Sequence, residues 1–288
     1  MADIDLFQRH RSALLALAYR MLGEVALAED IVQDAWVRWQ QSDAAVDNAK
    51  AYLITIVTRL CLNELESAYT RREEPRSDRL PEPLNLADTG IARIEALDTI
   101  SMAFLVLLQR LTPAERAGLL LHEVFDFGHD EIATLLGKTP LACRQLLKRA
   151  REQVGAERRS LSVSPEAHQR LLRAFVRAAG SGDLFEITTL LAEDVVLIVD
   201  AGAEGGTYGR VRSLPGPVMG ATKVAAFVAA VAPQGASDLV IQECELNGLP
   251  GMLVLRNGSP YTAILLSVRD DRINGIFMHA DVARLNHV

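Results

Sequence analysis

The spacing of apolar residues changes along the chain, and this change limits the available folds more than any other feature. Up to residue 66, and again from about residue 93 to residue 154, apolar residues recur three or four positions apart, which is typical of amphipathic helices. From residue 239 onward, short apolar runs alternate with the turn sequences NGLPG, NGS and DD, which is typical of antiparallel strands. The pattern predicts helical domains first and an α+β domain last.

The first helical domain is predicted over residues 1–70. Glu24–Gln40 carries a one-sided apolar stripe, and a second helix is predicted over Lys50–Glu66. Trp36 and Trp39 fall on the stripe, so we expect both indole rings to pack in the core.

A linker is predicted over residues 71–92. Its sequence, RREEPRSDRLPEPLNLADTG from residue 71 to residue 90, has three prolines and dense charge. Because a residue that precedes proline is disfavoured in the helical region, Pro81-Glu82-Pro83 is expected to be stiff and extended. Helices resume near Arg93, which predicts a second helical domain over residues 93–158.

The second helical domain ends in a helix-turn-helix pattern. Asp130–Leu136 reads as a short helix, Gly137-Lys138 as a turn, and Thr139 with Pro140 as the cap and first position of a longer helix. In such a module the second helix offers its outward polar side chains to the major groove. The outward positions predicted to bind DNA are Thr139, Arg144, Gln145, Lys148 and Arg151.

Charge supports this interpretation locally. The formal net charge of the chain is −7, yet the segment from Lys138 to Arg159 contains seven cationic residues and only two anionic ones. A basic stripe on an acidic body can bind DNA while the acidic remainder discourages non-specific binding. A solvated helical face is the alternative that charge alone leaves open.

A third domain is predicted over residues 164–288. Ser164-Pro165 is a helix start, further helices are expected over about 184–191 and 221–231, and a strand over Val195–Val199. Four more strands are expected over the last fifty residues, at Leu239–Leu246, Met252–Arg256, Thr262–Arg269 and Ile273–His279. Helices followed by an antiparallel meander predict an α+β fold.

Composition argues against several other classes of protein. The three cysteines lie far apart with no CxxC spacing, so we expect free thiols and neither a disulfide framework nor a metal site. The acidic N-terminus is no secretory signal, and the longest apolar run, Val224–Ala232, is too short to span a bilayer. A cytoplasmic protein that needs no cofactor and no membrane is expected.

Three segments in fixed order carry a family resemblance. They are ALAYRMLGEVALAEDIVQDAWVRW, then AKAYLITIVTRLCLNELES, then LTPAERAGLLL followed by the helix-turn-helix. Together, over residues from about 5 to 155, they resemble the extracytoplasmic-function (ECF) sigma factors, which direct bacterial RNA polymerase to promoters. The resemblance implies that AEDIVQDAW docks on the clamp coiled coil of the largest polymerase subunit through Asp30, Gln33, Asp34 and Val37.

The same resemblance implies two contacts with promoter DNA. Helix Lys50–Glu66 would read the −10 element, and the polar loop Ser42–Asn48 before it would capture a flipped-out base. The residues expected there are Asn48, Lys50, Arg59 and Asn63. The helix-turn-helix would bind the −35 element.

A second resemblance concerns residues 164–288. HQRLLRAFVRAAGSGDLFEITTLLAEDVVLIVDAG resembles the opening of SnoaL-like domains, cone-shaped α+β folds shared with nuclear transport factor 2. A subgroup of ECF sigma factors carries such a domain and has a Trp-Leu-Pro-Glu-Pro linker motif; here Arg79 takes the place of Trp. The subgroup also has an Asp-Gly-Gly-Gly-Lys motif after the first strand, at the place where this chain reads Asp200-Ala201-Gly202. The two motifs imply interdomain regulatory roles for Leu80, Pro81, Glu82, Pro83, Asp200 and Gly202.

These observations predict a sigma factor that binds core RNA polymerase and promoter DNA, is not an enzyme, and is modulated in cis by its C-terminal domain. Two alternatives remain: a ligand-responsive helix-turn-helix regulator that ignores core polymerase, and a SnoaL-type isomerase or cyclase. The enzyme alternative would use polar groups that point into the cone, for which Asp200, Tyr208 and His279 are the candidates. A small-molecule ligand in the cone stays an open expectation. A repressor or an enzyme has no use for the first 66 residues, which favours the sigma factor.

Overall fold

The computed structural model describes residues 4–42, 48–70, 79–85, 101–158, 164–202, 214, 216–232 and 238–288. The described chain forms two compact units. The first contains the N-terminal helices, most of the fourth helix and the helix-turn-helix; the second contains segment 79–85 and the C-terminal domain.

Three helices open the first unit: α1 (Ile4–Leu22), α2 (Val25–Gln40) and α3 (Ala49–Thr70). They pack on one another through fully buried side chains such as Leu14, Leu17 and Leu53. Trp39 is buried and its ring lies 5.8 Å from that of Tyr52, as expected for a core residue. Trp36 is only half-buried and stacks on Phe7 at 4.9 Å.

Four further helices follow: α4 (Met102–Arg110), α5 (Pro113–Phe125), α6 (His129–Leu135) and α7 (Pro140–Arg158). Helix α5 begins with a capping box, in which the Thr112 hydroxyl accepts from the Glu115 N–H and the Glu115 carboxylate accepts from the Thr112 N–H. At Gly118 an added Cβ would lie 3.0 Å from a Leu146 methyl group. Glycine therefore lets α7 approach α5 closely.

A buried arginine joins α5 to α1. The Arg116 guanidinium donates to the Leu108 carbonyl at 2.8 Å and to the Met21 carbonyl, which lies in the last turn of α1 and has no partner inside its own helix. Burial lowers the pKa of Arg116 to about 10, so the group stays protonated at neutral pH. One charged side chain thus fixes these two helices of the first unit relative to each other.

In the second unit, the described residues form three α-helices, a six-stranded sheet and a short 3-10 helix, Val282–Arg284. The helices are α8 (Pro165–Ser181), α9 (Leu184–Leu190) and α10 (Ala221–Val231). The strands are β1 (Leu191–Asp200), β2 (Val218–Met219), β3 (Leu239–Leu246), β4 (Leu249–Arg256), β5 (Ser259–Arg269) and β6 (Arg272–His279). The predicted cap at Ser164 is confirmed, since its hydroxyl accepts from the Ala167 N–H at 3.3 Å.

The strand order is β2-β1-β6-β5-β4-β3. Strands β3 to β6 form the predicted antiparallel meander, whereas β1 pairs in parallel with β6, which the sequence pattern did not predict. The prediction of NGLPG as a turn was too long. Only Asn247-Gly248, with φ of 53° and 76°, makes the turn, and Leu249 already pairs with Leu246.

The two faces of the sheet have different partners. Leu197, Val199, Leu266 and Met278 belong to one apolar cluster with helices α8, α9 and α10. Because side chains alternate along a strand, their neighbours point to the opposite side, called here the second face. Its buried residues include Ile198, Asp200, Leu253, Leu265, Phe277 and His279.

Candidate nucleic-acid interface and linker site

The helix-turn-helix forms as predicted. Gly137 makes the turn with φ of +62°, and the Thr139 hydroxyl accepts from the Ala142 N–H at 3.2 Å, which caps α7. The inner side of α7 is buried through apolar residues, namely Cys143, Leu146, Leu147, Ala150 and Val154. The turn and the cap therefore fix which side of α7 is open to solvent.

The residues predicted to bind DNA from α7 are all exposed: Thr139, Arg144, Gln145, Lys148 and Arg151. Two of them have acidic partners. Lys148 lies 3.8 Å from Glu152, and the Arg151 Nε donates to the Glu123 carboxylate at 2.9 Å. Exposed pairs of this kind contribute at most about 1 kcal/mol, so a phosphate could replace either carboxylate at small cost.

The predicted −10 residues are exposed as well, and one of them also has a structural role. Asn48 caps α3, because its side-chain oxygen accepts from the Ala51 N–H at 3.0 Å. Lys50, Arg59 and Asn63 are exposed along α3. Residues 43–47 of the predicted base-capturing loop lie outside the described residues.

Thr58, a polar residue in the middle of α3, is fully buried. Its hydroxyl donates to the Ile54 carbonyl at 2.8 Å, which satisfies the polar group without solvent.

The predicted polymerase-binding residues form one exposed strip on α2. Asp30, Gln33 and Asp34 are exposed, and Val37 keeps 44% of its surface accessible. The opposite side of α2 is buried through Ile31, Val32 and Ala35. The strip thus carries two carboxylates and ends, one turn further along the helix, in an exposed valine.

Segment 79–85 is bound to the C-terminal domain rather than solvated. Its first anchor is a buried ion pair between Asp200 and Arg284, with 2.6 Å between Oδ2 and Nη1. The Leu80 N–H donates to Asp200 Oδ2 at 3.1 Å, and Arg284 Nη1 donates to the Leu80 carbonyl at 2.7 Å. The Arg284 Nε also lies 3.5 Å from the Glu82 carboxylate.

The second anchor is Asn247, which is fully buried in the turn between β3 and β4. Its side-chain oxygen accepts from the Leu84 N–H at 3.1 Å, and its own N–H donates to the Leu84 carbonyl at 2.8 Å. The Asn85 N–H donates to the His287 carbonyl at 2.9 Å. Both backbone groups of Leu84 are therefore satisfied by one asparagine.

The two anchors show how the segment crosses the sheet. Asp200 ends β1 and Asn247 precedes β4, and these strands are three positions apart in the strand order. Leu80 and Leu84 are fully buried and Pro81 and Pro83 are buried, so the linker motif packs against the C-terminal domain along its length.

Electrostatics favour a fixed arrangement at the first anchor. Burial raises the pKa of the Asp200 carboxyl, while the charge of Arg284 and the N–H groups of Gly202 and Leu80 counteract that rise. Breaking such a buried pair by removing one partner costs about 3–5 kcal/mol, because the remaining charge stays desolvated. Asp200 therefore holds Leu80 only as long as Arg284 is in place.

Gly202 is required beside this anchor. Its N–H donates to Asp200 Oδ1 at 3.2 Å, and its φ is +76°. A Cβ at this position would lie 2.9 Å from the Asp281 carboxylate. Both the backbone conformation and the close approach exclude a larger residue.

Asp200 and His279, two of the polar groups that the sequence offered for the inside of the cone, are both buried. Both project from the second face, away from the cluster formed with α8, α9 and α10, because Val199 and Met278 take the helix side. Burial, with the charge of Arg284, lowers the pKa of His279 to about 3, so its ring is neutral at physiological pH. Tyr208 lies outside the described residues.

Sequence reasoning missed two of the residues that hold the linker. Arg284 is a lone cation in a C-terminal segment without periodic pattern, and Asn247 looked like an ordinary turn residue before glycine. Of the two, only Asn247 carried a local signal, since Asn-Gly predicts a tight hairpin. Nothing in its spacing indicated a partner 163 residues away.

Comparison with known proteins agrees with these observations. The family model of sigma-70 region 2 matches residues 6–71, and that of sigma-70 region 4 matches residues 101–154. The chain is 35% identical to the ECF RNA polymerase sigma factor SigJ of Mycobacterium tuberculosis H37Rv, over 94% of this chain and 89% of that protein. It is 36% identical to the probable ECF sigma factor SigI of the same organism, over 77% of this chain and 83% of SigI.

The fold agrees as well. The crystal structure of Mycobacterium tuberculosis SigJ superposes with a TM-score of 0.75 at 28% identity, covering 99% of both chains. The chain belongs to the ECF RNA polymerase sigma factors. The predicted fold class is confirmed, with helical sigma regions followed by a helix-and-sheet domain that is consistent with a SnoaL-like fold. Among the described residues no helix is long and apolar enough to cross a membrane.

Proposed function

We propose that this protein is a promoter-specificity subunit of RNA polymerase whose activity depends on where its interregion linker is bound. The observation that carries the proposal is the double anchoring of Leu80 and Leu84 on the C-terminal domain. Segment 79–85 lies between α3 and α4 in the chain, and these helices belong to the two regions that resemble DNA-binding parts of sigma factors. Whatever binds the segment therefore controls the connection between them.

Core polymerase binds through the strip on α2 formed by Asp30, Gln33, Asp34 and Val37. The partner surface is the clamp coiled coil of the largest polymerase subunit, as the family resemblance implies. What supports the proposal is the exposure of all four side chains on one helix face. Two carboxylates followed by an exposed valine suit a partner surface that offers basic residues next to an apolar patch.

Promoter DNA binds at two places. Exposed residues of α3, namely Lys50, Arg59 and Asn63, bind the −10 element, and α7 carries Arg144, Gln145 and Lys148 for the −35 element. The protein supplies binding and no chemistry of its own, so we expect no cofactor. Asp200, one of the candidate polar groups for an enzymatic function, instead pairs with Arg284 and accepts from the Leu80 N–H.

The test is transcription from a genomic promoter library by core polymerase, with and without this protein. We expect a defined set of promoters to be transcribed only when the protein is present. A library that gives the same transcripts in both reactions would contradict the sigma-factor proposal. Binding of promoter fragments without any effect on core would support the helix-turn-helix regulator instead.

Arg144 and Lys148 are expected to contribute differently to −35 binding. Arg144 lies near the start of α7 and suits a base edge, so Arg144→Ala should cost about 1–3 kcal/mol and relax preference at one position. Lys148 lies one turn further on and suits a phosphate. Lys148→Ala should therefore weaken binding to all promoters alike and lower the slope of log affinity against log salt concentration by about one unit. Promoter affinities measured for both variants over a series of salt concentrations would test this assignment. Equal salt dependence of the two variants, together with an unchanged base preference in both, would refute it.

A further inference from the structure

Leu141 is an exposed apolar side chain at the start of α7. It keeps 60% of its surface accessible, although the apolar residues on the inner side of the helix are buried. Burial therefore does not account for a leucine at this position. The residue follows Pro140 directly and lies in the first turn of the helix.

The surroundings of Leu141 suggest what it contacts. Residues three and four positions apart are neighbours on a helix surface, so Leu141 shares its face with Arg144 and Gln145. Both of these are exposed, and Lys148 continues the same face one turn later. An apolar side chain surrounded by two cations and an amide fits duplex DNA better than it fits an apolar protein partner.

The major groove of DNA offers one apolar group that a leucine side chain can cover. The N-terminal residues of a recognition helix are those that approach base edges in the major groove. Thymine presents a C5-methyl group there, and the other bases present only hydrogen-bonding groups at their outer edges. A leucine gains affinity by covering that methyl group and gains nothing from a polar edge.

We propose that Leu141 selects thymine at one position of the upstream promoter element by covering its C5-methyl group. This inference rests on the proposed function of α7 as the helix that binds this element. Excluding water from one methyl-sized group is worth about fourfold in affinity, which sets the size of the expected effect.

The experiment replaces each thymine of the upstream element, on either strand, with deoxyuracil. This base keeps every hydrogen-bonding group and lacks only the methyl. Holoenzyme with the wild-type protein should lose about fourfold in affinity at one thymine and little at the others. Holoenzyme with Leu141→Ala should bind the unmodified promoter about fourfold more weakly and should no longer respond to deoxyuracil at that position.

Leu184→Ala is the matched control, because Leu184 is also an exposed leucine in the first turn of a helix, 51% accessible, but lies in the C-terminal domain. It should keep the wild-type response to deoxyuracil. If Leu141→Ala retains the wild-type response at every thymine, the proposal is overturned. It is also overturned if Leu141→Ala weakens all duplexes alike or weakens core binding, which would indicate a protein contact. Failure of the sigma-factor proposal is recognised separately, since the wild-type protein would then start no transcription.

Discussion

Reversing the charge of both Asp30 and Asp34 to lysine is expected to abolish stable binding to core polymerase. The two carboxylates lie on the exposed strip of α2, so the new cations would face the partner surface that the native charges complement. Placing like charges against each other costs several kcal/mol, and each 1.4 kcal/mol is about tenfold in affinity, so a loss of about 100-fold or more is expected. Co-purification with core and titration by fluorescence anisotropy would measure it.

The fold should survive this change. Neither aspartate belongs to the buried side of α2, which is formed by residues such as Ile31 and Ala35. Glu193→Lys with Glu245→Lys is the matched control, because it makes the same change in net charge at two exposed strand residues of the C-terminal domain. Unchanged affinity for core in the aspartate variant, or an equal loss in the control, would show that α2 is not the docking helix.

The sequence predicted the helical half of the chain well for a local reason. A helix-turn-helix depends on contacts between residues a few positions apart, and its cap, turn and apolar stripe are all visible in the segment from Asp130 to Val154. The structure reproduces the cap at Thr139 and the turn at Gly137. The exposure of Leu141 was not predicted, because an apolar residue in the first turn of a helix gives no periodic signal.

The sheet and the linker site were only partly predictable because their contacts are remote in sequence. Four strands follow one another as hairpins, and the alternating pattern with turn residues located them. The parallel pairing of β1 with β6 depends on residues more than seventy positions apart, for which a single sequence gives no signal. The same holds for Arg284, whose partner Asp200 is 84 positions away.

The family resemblance, rather than any pattern in the residues, singled out Leu80, Glu82 and Asp200 together. Stiffness was the property that the prolines predicted, and segment 79–85 does lack regular secondary structure. Burial of the segment was not predicted. It follows because the backbone groups of both leucines find polar partners on the C-terminal domain, which is the condition for burying an extended chain without a strand pairing.

Releasing segment 79–85 from the C-terminal sheet is expected to change promoter output strongly. Leu80→Ala with Leu84→Ala removes two fully buried side chains at about 2–5 kcal/mol each and leaves the Asp200–Arg284 pair inside the domain intact. Asp200→Asn removes the charge that faces buried Arg284, at about 3–5 kcal/mol. Docking of the linker is an equilibrium between docked and undocked forms of the same chain. Losing this much binding energy should therefore shift the equilibrium to the undocked form.

Release can be measured apart from transcription. Proline has no amide hydrogen, so the segment from Leu80 to Asn85 reports through Leu80, Glu82, Leu84 and Asn85. The Leu80 and Leu84 amides donate to buried acceptors and should exchange slowly in the wild-type protein, then much faster in both release variants. Lys223→Ala, at an exposed position of α10 in the same domain, is the control and should leave exchange unchanged.

Transcription then decides what docking does. Four forms are compared on one promoter: the wild-type protein, the double leucine variant, a form in which a Gly/Ser sequence replaces Leu80-Pro81-Glu82-Pro83, and a form without residues 164–288. If docking regulates the protein, the double leucine variant and the Gly/Ser form should share the direction of the truncated form. Each should reproduce part of its effect, because both loosen the linker while the C-terminal domain remains. Equal output from all four forms, with the amides of Leu80 and Leu84 shown to be released, would mean that linker docking has no regulatory role.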